Sequence, residues 1–317
     1  MNQQQPIIFD RATGHLEGAT PAERGAMLAL QAGAKICLRF NIRGFSIGVR
    51  VISSMLKPRD MIVLLGEDAR FIVPFADSYW SWLVDRNFIY EDEIARFLRN
   101  VADVDYHFVD GGANYGFWSV LVSSRPFGNH AATAIEAASA NVAWLTRNAE
   151  LNGRRFKILH CAIGSANGSR VRLKGAKHEA FHVELDSDRD ADAGESVDMV
   201  SLDGLVEQGI ISPEHPLVIK LDVEGLEIDA VKGCEHLLES DTILILEEHG
   251  GDRDHVVSRY LLNDAACRVF VFDPACARYV PLDDLLILDR IKVNRAIGYN
   301  VFATKSAFWE ERIRSIQ

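Results

Sequence analysis

Residues 107–119 read HFVDGGANYGFWS, and this stretch decides the fold. An apolar strand runs into Asp110, a glycine-rich turn follows, and a helix is predicted from near Phe117. Gly111, Gly112 and Gly116 suit a tight turn that lets backbone come close to a ligand. The helix start behind the turn offers unpaired N–H groups and a positive dipole end. Strand, turn and helix in that order are how open α/β sheets hold a nucleotide-like cofactor; without a ligand the same pattern is an ordinary tight turn.

A dinucleotide site wants G-x-G-x-x-G, its glycines making room for a pyrophosphate. Here the frame is Asp110, Gly112, Asn114 and Gly116, with an acid ahead of the glycines. S-adenosylmethionine (SAM) has no phosphate but carries an ammonium and a carboxylate, which suit an acid at a strand end and backbone N–H groups. Asn114 replaces a glycine at low cost, because Asn enters left-handed backbone more readily than other side chains. Glu136 closes the next apolar strand, Ala131 to Ile135, roughly 20 residues on, where an acid meets ribose hydroxyls. The alternative for Glu136 is a helix-start acid, since Ser139 opens a periodic helix ending at Asn152-Gly153. NAD stays open; SAM fits better.

Pro216 to Gly225, PLVIKLDVEG, is a continuous apolar run ending in charge, as expected in the middle of a parallel sheet. Lys220 and Asp222 lie two apart and share a face, with Glu224 on the turn. They are expected either to serve a site at the strand ends or to pair with each other. Thr242 to His249, TILILEEH, is a second such strand, ending in Glu247, Glu248 and His249. His249 can take a proton near neutral pH, or can simply be an exposed loop histidine.

The pieces FVDGGANYGFWSV, AIEAASANVAWLTRNAELNG, CAIGSANGS, VSLDGLV, IKLDVEGLEIDAVKGCEHLL and ILILEEH resemble, in order, the FkbM family of SAM-dependent methyltransferases. The resemblance runs from about Arg70 to Gly250 and more loosely to Ala303. It implies an α/β, class I methyltransferase (Rossmann-like) fold: a mostly parallel doubly wound sheet with SAM across the strand ends. It implies Asp110, Gly112, Asn114 and Gly116 at the methionine end, Glu136 at the ribose, Cys161 and Ala162 beside the adenine, and Asp222 near the methyl group. It further implies O-methylation of a hydroxyl on a small molecule or glycan. Two departures stand out: Ala137 where the family often has proline, and a long N-terminal extension.

Methyl transfer from a sulfonium needs alignment and somewhere for the hydroxyl proton to go. Asp222 and His249 are the candidate bases, with Glu224 behind them. A less favoured version places a divalent metal on Asp222, Glu247 and His249. The rival readings are a methyltransferase-fold binding or scaffold protein, which would transfer no methyl group, and an NAD enzyme, which would bind NAD in place of SAM.

Lys177 to His182 contains H-E-x-x-H (His178, Glu179, His182), which on a helix would suit zinc. Strand-like VRLKG before it and acidic ELDSDRDADAGES after it carry no helical period, so the segment reads as a loop between strands. The acids from Glu184 to Glu195 read as a solvated face. The aromatic run Tyr79, Trp80, Trp82, Phe88, Tyr90 reads first as core packing and second as the roof of an acceptor pocket. Tyr90-Glu91 falls on a position the family shares, so the resemblance implies that Glu91 faces the site.

The chain has 317 residues, enough for one large core with an appendage. Residues 1–69 are that appendage: Gln3 to Gly18 polar and loose, then a helix from Pro21 towards Leu38. It is a candidate cap, acceptor cover, or contact with a second copy in a homo-oligomer; residues 70–317 are the methyltransferase domain. A strand at Tyr299 to Ala303 is expected at an antiparallel edge. Net charge is −11 with no basic stripe fit for phosphates, so no nucleic-acid partner is expected. No secretory signal and no run of 18 uncharged apolar residues is apparent, and five scattered cysteines form no disulfide framework. The expectation is cytoplasmic, without membrane insertion.

Overall fold

The structure, a computed structural model, describes residues 5–38, 44–177, 180–185, 194–295 and 297–316, with backbone alone over 174–185. In chain order the N-terminal region runs β1 (Ile7–Asp10), β2 (Leu16–Glu17), α1 (Pro21–Leu38), α2 (Phe45–Ser54), β3 (Asp60–Leu64) and β4 (Arg70–Pro74). After α3 (Asp92–Asn100) come β5 (His107–Gly111), α4 (Phe117–Val122), β6 (Ala132–Glu136), α5 (Ser139–Leu151), β7 (Lys157–His160) and β8 (Ala162–Ile163). Three strands follow, β9 (Arg170–Lys177), β10 (Ala180–Leu185) and β11 (Glu195–Val200), and then α6 (Leu202–Glu207). The last part holds β12 (Leu217–Leu221), α7 (Glu227–Lys232), β13 (Thr242–His249), α8 (Val256–Asn263), β14 (Arg268–Asp273), β15 (Arg278–Pro281), α9 (Leu286–Ile291), β16 (Gly298–Thr304) and α10 (Ala307–Ser315).

The main sheet has eight strands in the order β15-β14-β16-β13-β12-β5-β6-β7. Strands β13, β12, β5, β6 and β7 are parallel, and β16 runs antiparallel between β13 and β14. This is the mostly parallel, doubly wound sheet of the class I methyltransferase fold. The stretch around Tyr299 is therefore not an edge. Its return into the sheet interior puts Val301 and Phe302 in register with both neighbours.

Alternation along the central strands divides the core. Phe108, Val218, Ile243, Ile245 and Phe302 face one layer, while Val109, Ile219, Leu221, Leu244 and Leu246 face the other. The first layer merges without a break into the N-terminal region through Phe9, Val63, Phe71 and Trp80. The second is covered by α6, α7, α8 and α9. On that second face Glu248 and Lys292 form a fully buried ion pair at 3.3 Å, and Glu248 also accepts from the Ser258 N–H.

The N-terminal region is less helical than its sequence suggests. Ile7–Asp10 is a strand, not a loose segment, because Ile7 and Phe9 point into the core and pair beside β3. Strands β2, β1, β3 and β4 form one small sheet, so a strand pair spans residue 69. Helix α1 does run Pro21–Leu38 as expected. Thr20 and Glu23 cap its start reciprocally, Thr20 N–H donating to Glu23 at 2.7 Å.

The described residues on either side of and within the H-E-x-x-H segment are strand, not helix. Residues 170–177 and 180–185 form antiparallel strands in a second four-stranded sheet with β11 and β8, which corrects the expected loop and is not the helix on which a zinc-binding pair of this spacing depends. His178 and Glu179 lie outside the described residues, as do 186–193 of the acidic stretch.

Candidate active site

Register sets up the site. In the parallel ladder Lys220 lies opposite Asp110, and one step past its end Asp222 reaches the level of Glu247. On the next strand Glu247 lies opposite Asn300. These residues project on the same side as Phe108 and Val218, at the carboxyl ends of the parallel strands. A cavity of about 910 Å³ opens there. Asp110, Gly112, Asn114, Glu136, Cys161, Ala162, Asp222, Glu224, Glu247 and His249 all line it. Gly116 does not.

The glycine turn is held from several directions. Gly112 has φ +73°, and a Cβ there would stand 1.8 Å from the Asp222 carbonyl oxygen, so only glycine lets the β5 and β12 ends close together. The Asp222 N–H donates to the Gly111 carbonyl at 3.0 Å across the same junction. Gly116 begins α4 at φ +85° and packs against Leu145, which explains its absence from the cavity wall. Asn114 adopts the left-handed conformation expected of it, φ +52°.

Asp110 and Glu136, the two acids expected at the cofactor, are buried and already engaged. Asp110 accepts from the Ser119 N–H at 3.0 Å and hydroxyl at 2.7 Å, anchoring the first turn of α4. Glu136 accepts the Asn114 N–H at 2.7 Å and the Ala138 N–H at 2.8 Å. Burial pushes both carboxyls above their ordinary range, against Lys220 and Ser119 for Asp110 and against the N–H donors for Glu136. Beside them the Cys161 thiol is pushed up to about 11, by burial and then by Asp198, which makes it an apolar wall rather than a nucleophile.

The far half of the cavity is a charged cluster. Lys220 is 3% exposed and its Nζ sits 3.1 Å from an Asp222 oxygen, so the expected pairing occurs inside the cavity wall. Burial pulls Lys220 down, but Asp222, Glu91 and Asp110 together raise it well above its ordinary value. Asp222 feels the converse: burial raises it, while Lys220 and a hydrogen bond from Glu247 bring it below the ordinary range. Glu247 is driven up to about 10, by burial and then by the Asp222 charge, so it is a neutral acid donating to Asp222. Glu91 is driven up to about 7, chiefly by burial with Lys220 opposing. Its carboxylate accepts from the Trp118 ring N–H at 2.5 Å and from Asn300 at 3.2 Å.

Sequence reasoning placed Glu91 only loosely, and Asn300 and Trp118 not at all. Asn300 lies 209 residues from Glu91, and only the return of β16 beside β13 brings them together. His249 is exposed at the cavity rim, and Glu224 holds a left-handed turn at φ +49°. Among the described residues no three His, Cys, Asp or Glu side chains gather into a metal-ligand set. In the aromatic run Trp80 is buried and stacks on Phe117, the expected core packing, and Tyr79, Trp80, Trp82, Phe88 and Tyr90 also line the cavity. The Tyr79 and Tyr90 hydroxyls meet at 2.5 Å.

Comparison with known proteins shows the family. A curated relative, hexuronic acid methyltransferase AglP of Haloferax volcanii, is 26% identical over 186 residues, covering 59% of this chain and 72% of the relative. Among solved structures, a methyltransferase FkbM from Methylobacillus flagellatus KT matches at 18% identity and TM-score 0.38. That match covers 63% of this chain, which spans only 43% of the other's length. A precorrin-6y C5,15-methyltransferase from Geobacter metallireducens GS-15 matches at 12% identity and TM-score 0.37, covering 69% and 91%. Residues 110–268 match the Methyltransferase FkbM domain, half of the chain and the part that builds the cavity floor, and the chain belongs to that family.

Proposed function

We propose that this protein is a SAM-dependent O-methyltransferase whose acceptor is a sugar hydroxyl, on a glycan or small glycoside. The observation that carries the reading is one cavity joining the Asp110–Glu136 end to the Lys220–Asp222–Glu247–Glu91 cluster beneath aromatic walls. At about 910 Å³ it has room for a cofactor and an acceptor side by side. A relative named for hexuronic acid supports a sugar acceptor, and flat aromatic walls suit the apolar faces of sugar rings.

The residues fit SAM. Glu136 is a buried carboxylate on the cavity wall, held by the Asn114 and Ala138 N–H groups and the Asn141 amide, and a carboxylate so placed is suited to ribose hydroxyls. The Gly112 turn would hold the methionine end, with Asp110 for its ammonium, and Cys161 and Ala162 would flank the adenine. When bound, SAM supplies a methyl group already made electrophilic by its sulfonium.

The chain's own part is alignment and proton uptake. Holding an acceptor in line can supply up to about 7–11 kcal/mol of the barrier. A positioned base adds about 10²- to 10⁴-fold in rate and works best with a pKa near the operating pH. Glu91, at about 7, meets that condition better than Asp222, which Lys220 holds ionised and weakly basic. In this reading Glu91 receives the hydroxyl proton, Asp222 orients the hydroxyl, and His249 and Glu224 bind the acceptor at the rim.

The test is to incubate the protein with methyl-labelled SAM and oligosaccharides with and without hexuronic acid, then locate the label by mass spectrometry. Label is expected in an alkali-stable methyl ether on a sugar. An alkali-labile ester would overturn the hydroxyl acceptor, and no transfer to any glycan would favour a binding or scaffold role.

A further inference from the structure

Helices α1 and α2 pack against each other through Gly33 and Phe45, yet each turns large apolar side chains to solvent. On α2, Ile47 is 69% exposed, Met55 76%, and Val51 lies between them at the same four-residue spacing. The inward side of that helix is Phe45 and Val49. On α1, Leu28 is 67% and Ile36 57% exposed, with exposed Ala32 between, while Met27, Leu30 and Ala34 face the core. Scattered apolar residues on a surface need no explanation; a four-spaced stripe on each of two packed helices does.

The charge of this segment is as one-sided as its apolarity. From Arg24 to Arg59 the sequence carries seven Lys and Arg and no Asp or Glu, in a chain of net charge −11. Arg24, Lys35, Arg50 and Lys57 are exposed on or beside the stripes. The acid just before the segment, Glu23, is buried against Arg59 at 2.8 Å and adds no outward negative charge. Apolar residues that can enter the headgroup–acyl boundary, rimmed by cations, complement an anionic lipid surface. Among the described residues no helix is long and apolar enough to cross a membrane, so the contact is peripheral.

We propose that the α1–α2 pair docks this protein on an anionic lipid surface. The face adjoins the cavity: Ser46, the second residue of α2, lines it, and so does Trp82, whose ring lies 4.0 Å from that of Phe45. A hydroxylated acceptor held on a lipid would therefore approach the cavity from the docked side, a clause that rests on the function proposed above. The docking itself does not.

The test is co-sedimentation of the full chain with large unilamellar vesicles of phosphatidylcholine alone and of phosphatidylcholine mixed with phosphatidylglycerol, at low and high salt and without SAM. Binding is expected to the mixed vesicles and to weaken with salt. Arg50→Ala and Lys57→Ala should each lower the partition coefficient about fivefold. Ile47→Ser with Met55→Ser should lower it about tenfold or more, with melting unchanged because both side chains are exposed. Absence of binding to mixed vesicles, equal binding to pure phosphatidylcholine, or indifference to Ile47→Ser/Met55→Ser would each overturn the proposal. A dimer by light scattering that the same pair dissociates, without vesicle binding, would assign the face to a second copy instead. Because the readout needs no methyl transfer, its failure is distinct from failure of the proposed activity.

Discussion

Lys220→Met removes the cation around which Asp110, Asp222, Glu91 and Glu247 gather. Methionine nearly matches the lysine stem in volume, so little of the effect comes from packing. Taking one partner from a buried ion pair costs about 3–5 kcal/mol, because the other charge is left uncompensated. The Asp222 side chain keeps 22% exposure to the cavity, which argues for the lower end, about 3 kcal/mol. For a chain of this size that is a fall in Tm of roughly 5–10 °C. The loss should also depend on pH. In the parent, Lys220 is raised and Asp222 lowered, so their contribution is complete from above the ordinary aspartate range up to the ordinary lysine range. It fades only as pH falls through the lowered Asp222 value or rises through the raised Lys220 value. In the variant, burial without Lys220 lifts Asp222 above its unfolded value, so protonation relieves it in acid. Thermal and urea unfolding by circular dichroism should therefore show a larger deficit at about pH 8.5 than at about pH 5.5. Adding Asp222→Asn should recover much of the loss, since neither charge is then stranded. A deficit under about 1 kcal/mol, or one equal at both pH values, would refute the claim that Lys220 organises the cluster.

Three further outcomes are expected. Glu91→Gln should cost about 10²- to 10⁴-fold in methyl transfer and leave SAM affinity within about twofold; the parent's kcat/KM should rise with pH through about 7 as Glu91 deprotonates, and a variant that keeps this limb would remove Glu91 from the mechanism. Gly112→Ala brings a Cβ to 1.8 Å from the Asp222 carbonyl at φ +73°, so differential scanning should show a loss of about 2 kcal/mol or more together with weakened SAM binding. Glu136→Ala should weaken SAM binding by about 1–3 kcal/mol in calorimetry, and an unchanged affinity in a folded variant would deny it the ribose.

Much of the sheet was legible because burial on both faces leaves an unbroken apolar run. Pro216 to Leu221 and Thr242 to Leu246 could be little else than central parallel strands, and charge closing such runs marked the strand ends as the place for a site. The glycine turn was legible because its geometry is local. What was not legible depends on distant chain. Gly298–Thr304 gives no sign in its own residues that it enters between β13 and β14 rather than at the edge. Ile7–Asp10 has only four residues of alternation, too few to separate a strand from a polar tail, and becomes one because β3 is there to pair. The protonation pattern was hidden for the same reason. From sequence His249 is a candidate base and Glu247 only a possible metal ligand at the end of the same strand, but Glu247 is a neutral donor because burial and Asp222 act on it together.

The central claim is that this cavity holds SAM, and calorimetric titration of the purified chain with SAM and, separately, with NAD tests it most directly. The account predicts one SAM site of micromolar affinity, weakened in Glu136→Ala, and no heat from NAD. No SAM binding by the folded chain, or saturable NAD binding in its place, would contradict it.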